Sequence, residues 1–167
     1  CSSDLPEPAF RPRHIKSKYL NFTVYEGELI NSIKGKDDLC NKIYQTIFEL
    51  SGMNVHIYPY STVCLYRTLI ESSTQFASRN LEITYQEHAL LTSITNVLNK
   101  WSANPKISKE FKQNIGVWRD LINRRLLIDK LNLYIHNTTP VDVDLILNTW
   151  NSMKGYIREC IKSKIIK

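Results

Sequence analysis

The sequence predicts an all-α protein, a single domain over residues 1–167 with five to six helices, the last two joined by a short connection and lying antiparallel. Three observations carry the prediction. Of 167 residues only 5 are glycine and 6 proline, too few for a domain built on many tight turns. Hydrophobic residues make up 43% of the chain, enough apolar mass for one core at this length. In segment after segment those residues recur at helical spacing, with polar breaks between.

Residues 1–18 carry Pro6, Pro8 and Pro12 among charged residues and read as an extended N-terminal arm. Leu20, Phe22 and Val24 alternate with polar residues, an extended pattern, and Glu26 to Ile33 then form a short first helix. From Asp37, Leu39, Cys40, Ile43, Ile47 and Leu50 share one helical face, with acidic residues in the first turn and Gly52 as the stop. Met53 to Tyr60 is a connector that includes Pro59. Ser61 caps the next helix, whose apolar face holds Cys64, Leu65, Leu69 and Phe76.

Thr84 to Glu87 reads as a capping box ahead of Leu90, Leu91, Ile94, Val97, Leu98 and Trp101, and Asn104-Pro105 closes that helix. Phe111, Ile115, Trp118, Ile122 and Leu126 face inward on a long helix that continues to Ile135, with Gly116 as its weak spot. Asn137 to Pro140 breaks it. The final helix sets Ile146, Trp150, Met153, Ile157 and Cys160 on one side, and Lys154, Arg158 and Lys162, four residues apart, on another. Trp101, Trp118, Trp150 and Met153 are assigned to packing.

The net charge of +6 is uneven. Residues 1–100 hold 10 basic and 10 acidic side chains, whereas residues 101–167 hold 12 and 6. A basic helical face of this kind attracts an acidic receptor surface, a sulfated glycan or nucleic acid, and charge alone does not choose among them. A solvated helix face is the plainer account, and it disfavours a nucleic-acid role.

Catalytic patterns are missing. His14, His56, His88 and His136 fall in separate segments without metal-ligand spacing. There is no nucleophile elbow, no phosphate-cradling glycine loop and no nucleotide fingerprint. Asp142 and Asp144, two apart on a helix, face different ways. The expectation is therefore no enzyme, no metal and no cofactor. No segment approaches the apolar run of about 18 residues that a membrane span needs, so no membrane insertion is expected.

An exported product is the expected context. The chain starts at Cys1 without an apolar leader, as a processed chain would. Asn21-Phe22-Thr23 and Asn137-Thr138-Thr139 are glycosylation sequons. The four cysteines, Cys1, Cys40, Cys64 and Cys160, are even in number and widely scattered, which favours two disulfides. The residues alone leave three connectivities open.

The opening of the last helix, Val143-Asp144-Leu145-Ile146-Leu147 followed by Trp150, resembles the terminal helix of class II helical cytokines, the interferon and interleukin-ten superfamily. Leu131 to Pro140 resembles that family's short connector between its final two helices. Cys64 with Cys160 resembles a bridge found in some members, which leaves Cys1 with Cys40. Together these features span roughly the C-terminal 100 residues. Ser72, Ser73 and Thr74 stand where the family is usually aromatic.

The resemblance implies a secreted ligand with a helical cytokine bundle that brings two cell-surface receptor chains together in antiviral or immune signalling. It implies one receptor on the first helix, the following loop and the last helix, and the other on the opposite flank. Candidate receptor contacts are Lys154, Arg158 and Lys162 on the last helix and Arg119, Arg124 and Arg125 before it. Sulfated glycans are a further candidate partner. The competing readings are a class I hormone of the prolactin or growth hormone kind, which should have a long overhand connection before its last helix, and a lipidated bacterial surface protein beginning Cys1-Ser2-Ser3-Asp4. A helical enzyme or carrier with an internal cavity is the third.

Overall fold

The computed structural model describes residues 18–22 and 24–163, apart from the side chains of residues 24 and 25. These residues form seven α-helices and no strand: α1 Val24–Asn31, α2 Asp38–Gly52, α3 Pro59–Asn80, α4 Leu90–Ser102, α5 Lys109–Arg119, α6 Leu127–His136 and α7 Val143–Lys162. A π turn, Asp120–Arg124, separates α5 from α6. The all-α expectation holds for the described residues. The arm 1–17 and Cys1 lie outside them.

Side-chain caps set three of the helix starts. Asp37 accepts from the Cys40 amide at 2.8 Å, Ser108 from Phe111 at 3.1 Å and Asp142 from Leu145 at 3.0 Å. Two expected starts move. α3 begins at Pro59 rather than after Ser61, because a proline at the first helical position has no amide left to satisfy. α4 begins at Leu90, six residues after Thr84. The intervening strip is fastened from both sides instead, by Ile83 N donating to Ser78 O at 2.9 Å and Gln86 N donating to Ser93 Oγ at 3.0 Å. Those bonds hold the backbone that the capping box would have wound.

α3 is the central helix. Residues 72, 73, 74, 76, 77 and 78 are all buried, and near-consecutive burial at about 100° per residue means cover on every side. α2, α4, α6 and α7 provide it. Small side chains at Ser72, Ser73, Ala77 and Ser78 leave room for that close approach.

α7 runs parallel to α3. Tyr66 meets Thr149, Thr74 meets Tyr156 and Asn80 meets Ser163, at nearly constant sequence separations of 83, 82 and 83. That register corrects the cysteine expectation. Cys160 lies level with the neighbourhood of Ala77, and Cys64 roughly thirteen residues lower, or about 20 Å of helix axis. A disulfide needs Cα atoms within about 7 Å. Cys64 is exposed with a free thiol, and Cys40 and Cys160 are buried free thiols. The Cys64–Cys160 bridge does not form, and Cys40 is not bridged either.

The expected long helix from Phe111 to Ile135 breaks at residues 120–126, not at Gly116. Arg125 N bonds back to Asp120 O at 2.9 Å, the wider π spacing, and Leu126 adopts left-handed φ 51°. Leu126, expected inside, is 46% exposed. The break redirects the chain. α5 packs on α7 through Trp118, whose Nε1 donates to Ser152 O at 2.8 Å, while α6 lies along α3, where Arg67 Nε donates to Asn132 Oδ1 at 2.6 Å. The connector from α6 to α7 is short as expected. The helices on either side of it do not pair along their length: α6 packs chiefly on α3, and α7 on α3, α5 and α1.

All four residues assigned to packing are buried. Trp101 stands 5.6 Å from Phe111, 6.0 Å from Trp118 and 5.8 Å from Tyr156, centroid to centroid, which joins α4, α5 and α7. Trp150 packs edge-on to Phe22 and Tyr66 and donates its indole N–H to Asn21 O at 3.1 Å. This places the segment before α1 against α7.

Candidate functional site

α1 is short and weakly amphipathic, so its position depends on what it buries. Its first turn presents Glu26, 3% exposed, to α7. A buried carboxylate needs charge partners, because desolvation alone would cost several kcal/mol. Lys154 Nζ lies 3.6 Å from Glu26 Oε2 and Arg158 Nη1 3.9 Å from Oε1. Arg158 Nε also reaches Glu159 at 3.2 Å, and Lys162 Nζ reaches the same carboxylate at 3.3 Å.

The stripe of Lys154, Arg158 and Lys162 is therefore not a run of solvated cations. It is a ladder of alternating sign, with Glu26 of α1 and Glu159 of α7 set between the three bases. Beside it opens a cleft of about 310 Å³, bounded by Glu26, Asn114, Val117, Asn151, Lys154 and Arg158. Its walls offer two amide side chains and the edges of two cations. Such a site can accept a polar side chain from outside.

The other candidate bases lie elsewhere. Arg119 donates to Asn99 Oδ1 at 2.9 Å and Ser102 Oγ at 3.0 Å, fastening α5 to α4. Arg124 and Arg125 pair with Asp120 across the π turn at 3.4 and 3.2 Å, with their side chains largely in solvent. The six candidates thus occupy three places. Of the two sequons, Asn137 is exposed at the end of α6, whereas Asn21 is half-buried beneath Trp150.

A second groove, of about 720 Å³, lies among Leu29, Ile33, Phe76, Arg79 and Ile161. Arg79 and Lys162 on its rim stand in the last turns of α3 and α7, where cations balance the exposed carbonyls of helix C-termini. Arg79 also pairs with Asp37 at 3.0 Å, and the Cys40 amide and Arg79 together hold the Asp37 carboxyl below its ordinary range.

Elsewhere the titratable groups respond to burial. Desolvation pushes the Tyr156 phenol and the Cys160 thiol well up, and it raises Tyr85 to about 12, helped by the nearby Glu71 carboxylate. His56, His88 and His136 are exposed on separate segments. Among the described residues no three His, Cys, Asp or Glu side chains gather as a metal-binding group, and no helix is long and apolar enough to cross a membrane.

Two features escaped the sequence. Glu26 gives no local signal, since an acid in a first turn is ordinary. Ile57, Tyr58 and Tyr60, in a stretch read as a passive connector, are exposed; the contiguous Ile57-Tyr58-Pro59-Tyr60 run was the available sign. No protein-family model matches the chain, and no curated protein or solved structure is significantly similar to it.

Proposed function

We propose that the chain is a secreted helical signalling ligand, of the interferon or interleukin-ten kind, that brings two cell-surface receptor chains together. The observation that carries the reading is the clasp of Glu26 by Lys154 and Arg158, which sets the first helix beside the last. In this reading the two helices form one receptor face, and the cleft beside them, walled on its far side by α5, takes a polar side chain of the receptor. Lys162 and Asn151 flank the contact, and Arg124 and Arg125 offer charge to a second partner or a sulfated glycan. Asn137, exposed at a helix end, is the better placed of the two glycan acceptors. Around these surfaces the chain acts as a single helical bundle.

The test is association with a panel of class II cytokine receptor ectodomains, run beside receptors of the prolactin and growth hormone kind. Two different class II ectodomains should bind at micromolar concentration or tighter. Val117→Arg with Asn151→Arg, which crowds the mouth of the cleft without touching the ladder, should weaken one of them by about tenfold with helicity unchanged. Reversing Lys154 and Arg158 is a poorer probe, because it also unclasps Glu26. Capture by the hormone-type receptors alone would favour the class I reading. No association at all would end both.

A further inference from the structure

The sequence has one place where two Lys or Arg residues adjoin, Arg124-Arg125, and the fold puts it where the helix fails. Asn123, Arg124, Arg125 and Leu126 are exposed in succession, between Ile122 and Leu127, which are both buried. The two arginine side chains are 87% and 62% exposed and share a single carboxylate, Asp120, at 3.4 and 3.2 Å. Ion pairs as open as these contribute little, so neither arginine is committed to the fold. The backbone is as lightly held. Arg125 N bonds to Asp120 O across the wide π spacing, and no side chain caps the start of α6. Leu126 takes φ 51°, a left-handed conformation in which the Cβ of a leucine crowds the next carbonyl. The burial of Leu127 and Ile128 immediately after it holds that strain in place.

We propose that Arg124-Arg125 is a processing site, at which a serine endoprotease specific for paired basic residues hydrolyses the Arg125–Leu126 peptide bond. Water is the co-reactant: the C–N bond breaks, the water oxygen joins the Arg125 carbonyl carbon to give a carboxylate, and Leu126 departs as a free amine. Recognition follows from the side chains. A guanidinium donates two parallel hydrogen bonds to a carboxylate, and two adjoining arginines offer a pair of such contacts that the isolated bases elsewhere in the sequence do not. An endoprotease reads its substrate extended, so the turn must straighten. Straightening gives up the Arg125 N to Asp120 O bond and the two ion pairs, which carboxylates of the enzyme replace, and it releases Leu126 from its left-handed conformation. After the cut, Leu131 and Tyr134 of α6 and Trp150 and Met153 of α7 remain core residues, so the product is one body of two chains, 1–125 and 126–167. The new ammonium at Leu126 stands at the N-terminus of α6, the wrong charge for that end of a helix, and loosens its first turn. The inference needs no receptor and stands apart from the function proposed above.

The experiment incubates the full chain under native conditions with kexin, a serine endoprotease that cuts after paired basic residues, and identifies the products by mass. A synthetic peptide of residues 119–130 gives the rate without the fold. The expected result is a cut at Arg125–Leu126 ahead of any other within residues 18–163, with both fragments eluting together at native size. Arg124→Gln removes the pair and should slow that cut about 100-fold in chain and peptide alike, because a carboxylate of the enzyme is left without its guanidinium. Leu126→Asn, which tolerates the left-handed conformation better, should slow the cut about fivefold in the folded chain relative to the matching peptide, since less strain favours opening. Both substitutions lie at exposed positions and leave the core in place. A native chain that stays intact under conditions that cut the peptide, or that is cut first elsewhere within residues 18–163, overturns the proposal. An unchanged ratio of chain to peptide rate in Leu126→Asn overturns the part assigned to the turn. Fragments that separate on the column overturn the two-chain product.

Discussion

α7 meets its two neighbours with opposite chemistry. Toward α3 it presents neutral hydroxyls. Thr149 Oγ1 donates to Leu145 O at 2.8 Å and Thr74 Oγ1 donates to Ile70 O at 2.7 Å, so each threonine proton is already committed. Tyr66 and Tyr156 must therefore be the donors across the seam, to Thr149 at 3.3 Å and Thr74 at 2.9 Å. Toward α1 the same helix presents the charge ladder centred on Glu26. The neutral seam lies in the core and fixes register. The charged seam borders a cleft, with its carboxylate buried and its two bases partly open to water. The first sets the level of α7 against α3, and the second docks α1 on α7.

Opening the neutral seam should have the largest effect. Tyr156→Ala removes a fully buried ring that packs on Trp101 and Trp118, and it should cost about 3–5 kcal/mol in chemical denaturation. Tyr156→Phe keeps the ring and removes one donated bond, for a loss of about 1 kcal/mol. Equal losses in the two variants would mean that the hydroxyl pair, rather than the ring, holds the helices.

The charged seam should yield less. Glu26→Ala leaves Lys154 and Arg158 without their common carboxylate, but both bases can turn toward solvent. The expected loss is about 1–2 kcal/mol, smaller in the background of Lys154→Ala. A loss as large as that of Tyr156→Ala would show that α1 is part of the core rather than a docked segment.

The two chemistries also separate by pH. Asp37, held below its ordinary value of 3.8 by the Cys40 amide and Arg79, stabilises the fold above that pH, and the contribution is lost as the medium becomes more acid. Asp37→Asn keeps an acceptor at the cap of α2 and should flatten stability against pH below about 4. At the other extreme, Tyr156 and Cys160 are raised above ordinary values of 10.0 and 9.0 by burial. The unfolded chain releases those protons first, so stability is complete below about pH 9 and declines as pH rises further. Tyr156→Phe should make the alkaline decline shallower and leave the acid limb unchanged.

The apolar face of α7 was more legible in the sequence than the polar pairs of either seam. Trp150, Met153 and Ile157 fall at a 3.6-residue period, and that pattern points to a buried face wherever the partner helix lies. Asp37 signals the start of α2 through chemistry confined to one turn. By contrast, Glu26 matters only because α1 lands on α7, and nothing local encodes that meeting. Cys64 misled for the same reason, since the level of one helix against another is a tertiary property. The π turn at 120–124 carries neither glycine nor proline, so Leu126 kept an inward-facing period in the sequence while the chain turned it outward. Thr84 to Glu87 failed differently: the local signal was present and was outweighed by bonds from Ser78 and Ser93.

The smallest effect should be a gain. On α3, Ser72, Ser73 and Ser78 have buried hydroxyls with no hydrogen-bond partner, while neighbouring Thr74 is satisfied twice. A buried hydroxyl without a partner has lost its water and gained nothing in return. Ser73→Ala removes that penalty, fits the same space and has a higher helix propensity, so it should raise stability by about 0.5–1 kcal/mol, seen as a rise of a few degrees in Tm. Thr74→Val at the adjacent position should lower stability by about 1 kcal/mol, because Tyr156 would keep its proton and lose its acceptor. Opposite signs at two adjacent buried hydroxyls would establish that partnership, rather than polarity as such, decides what α3 tolerates at its centre.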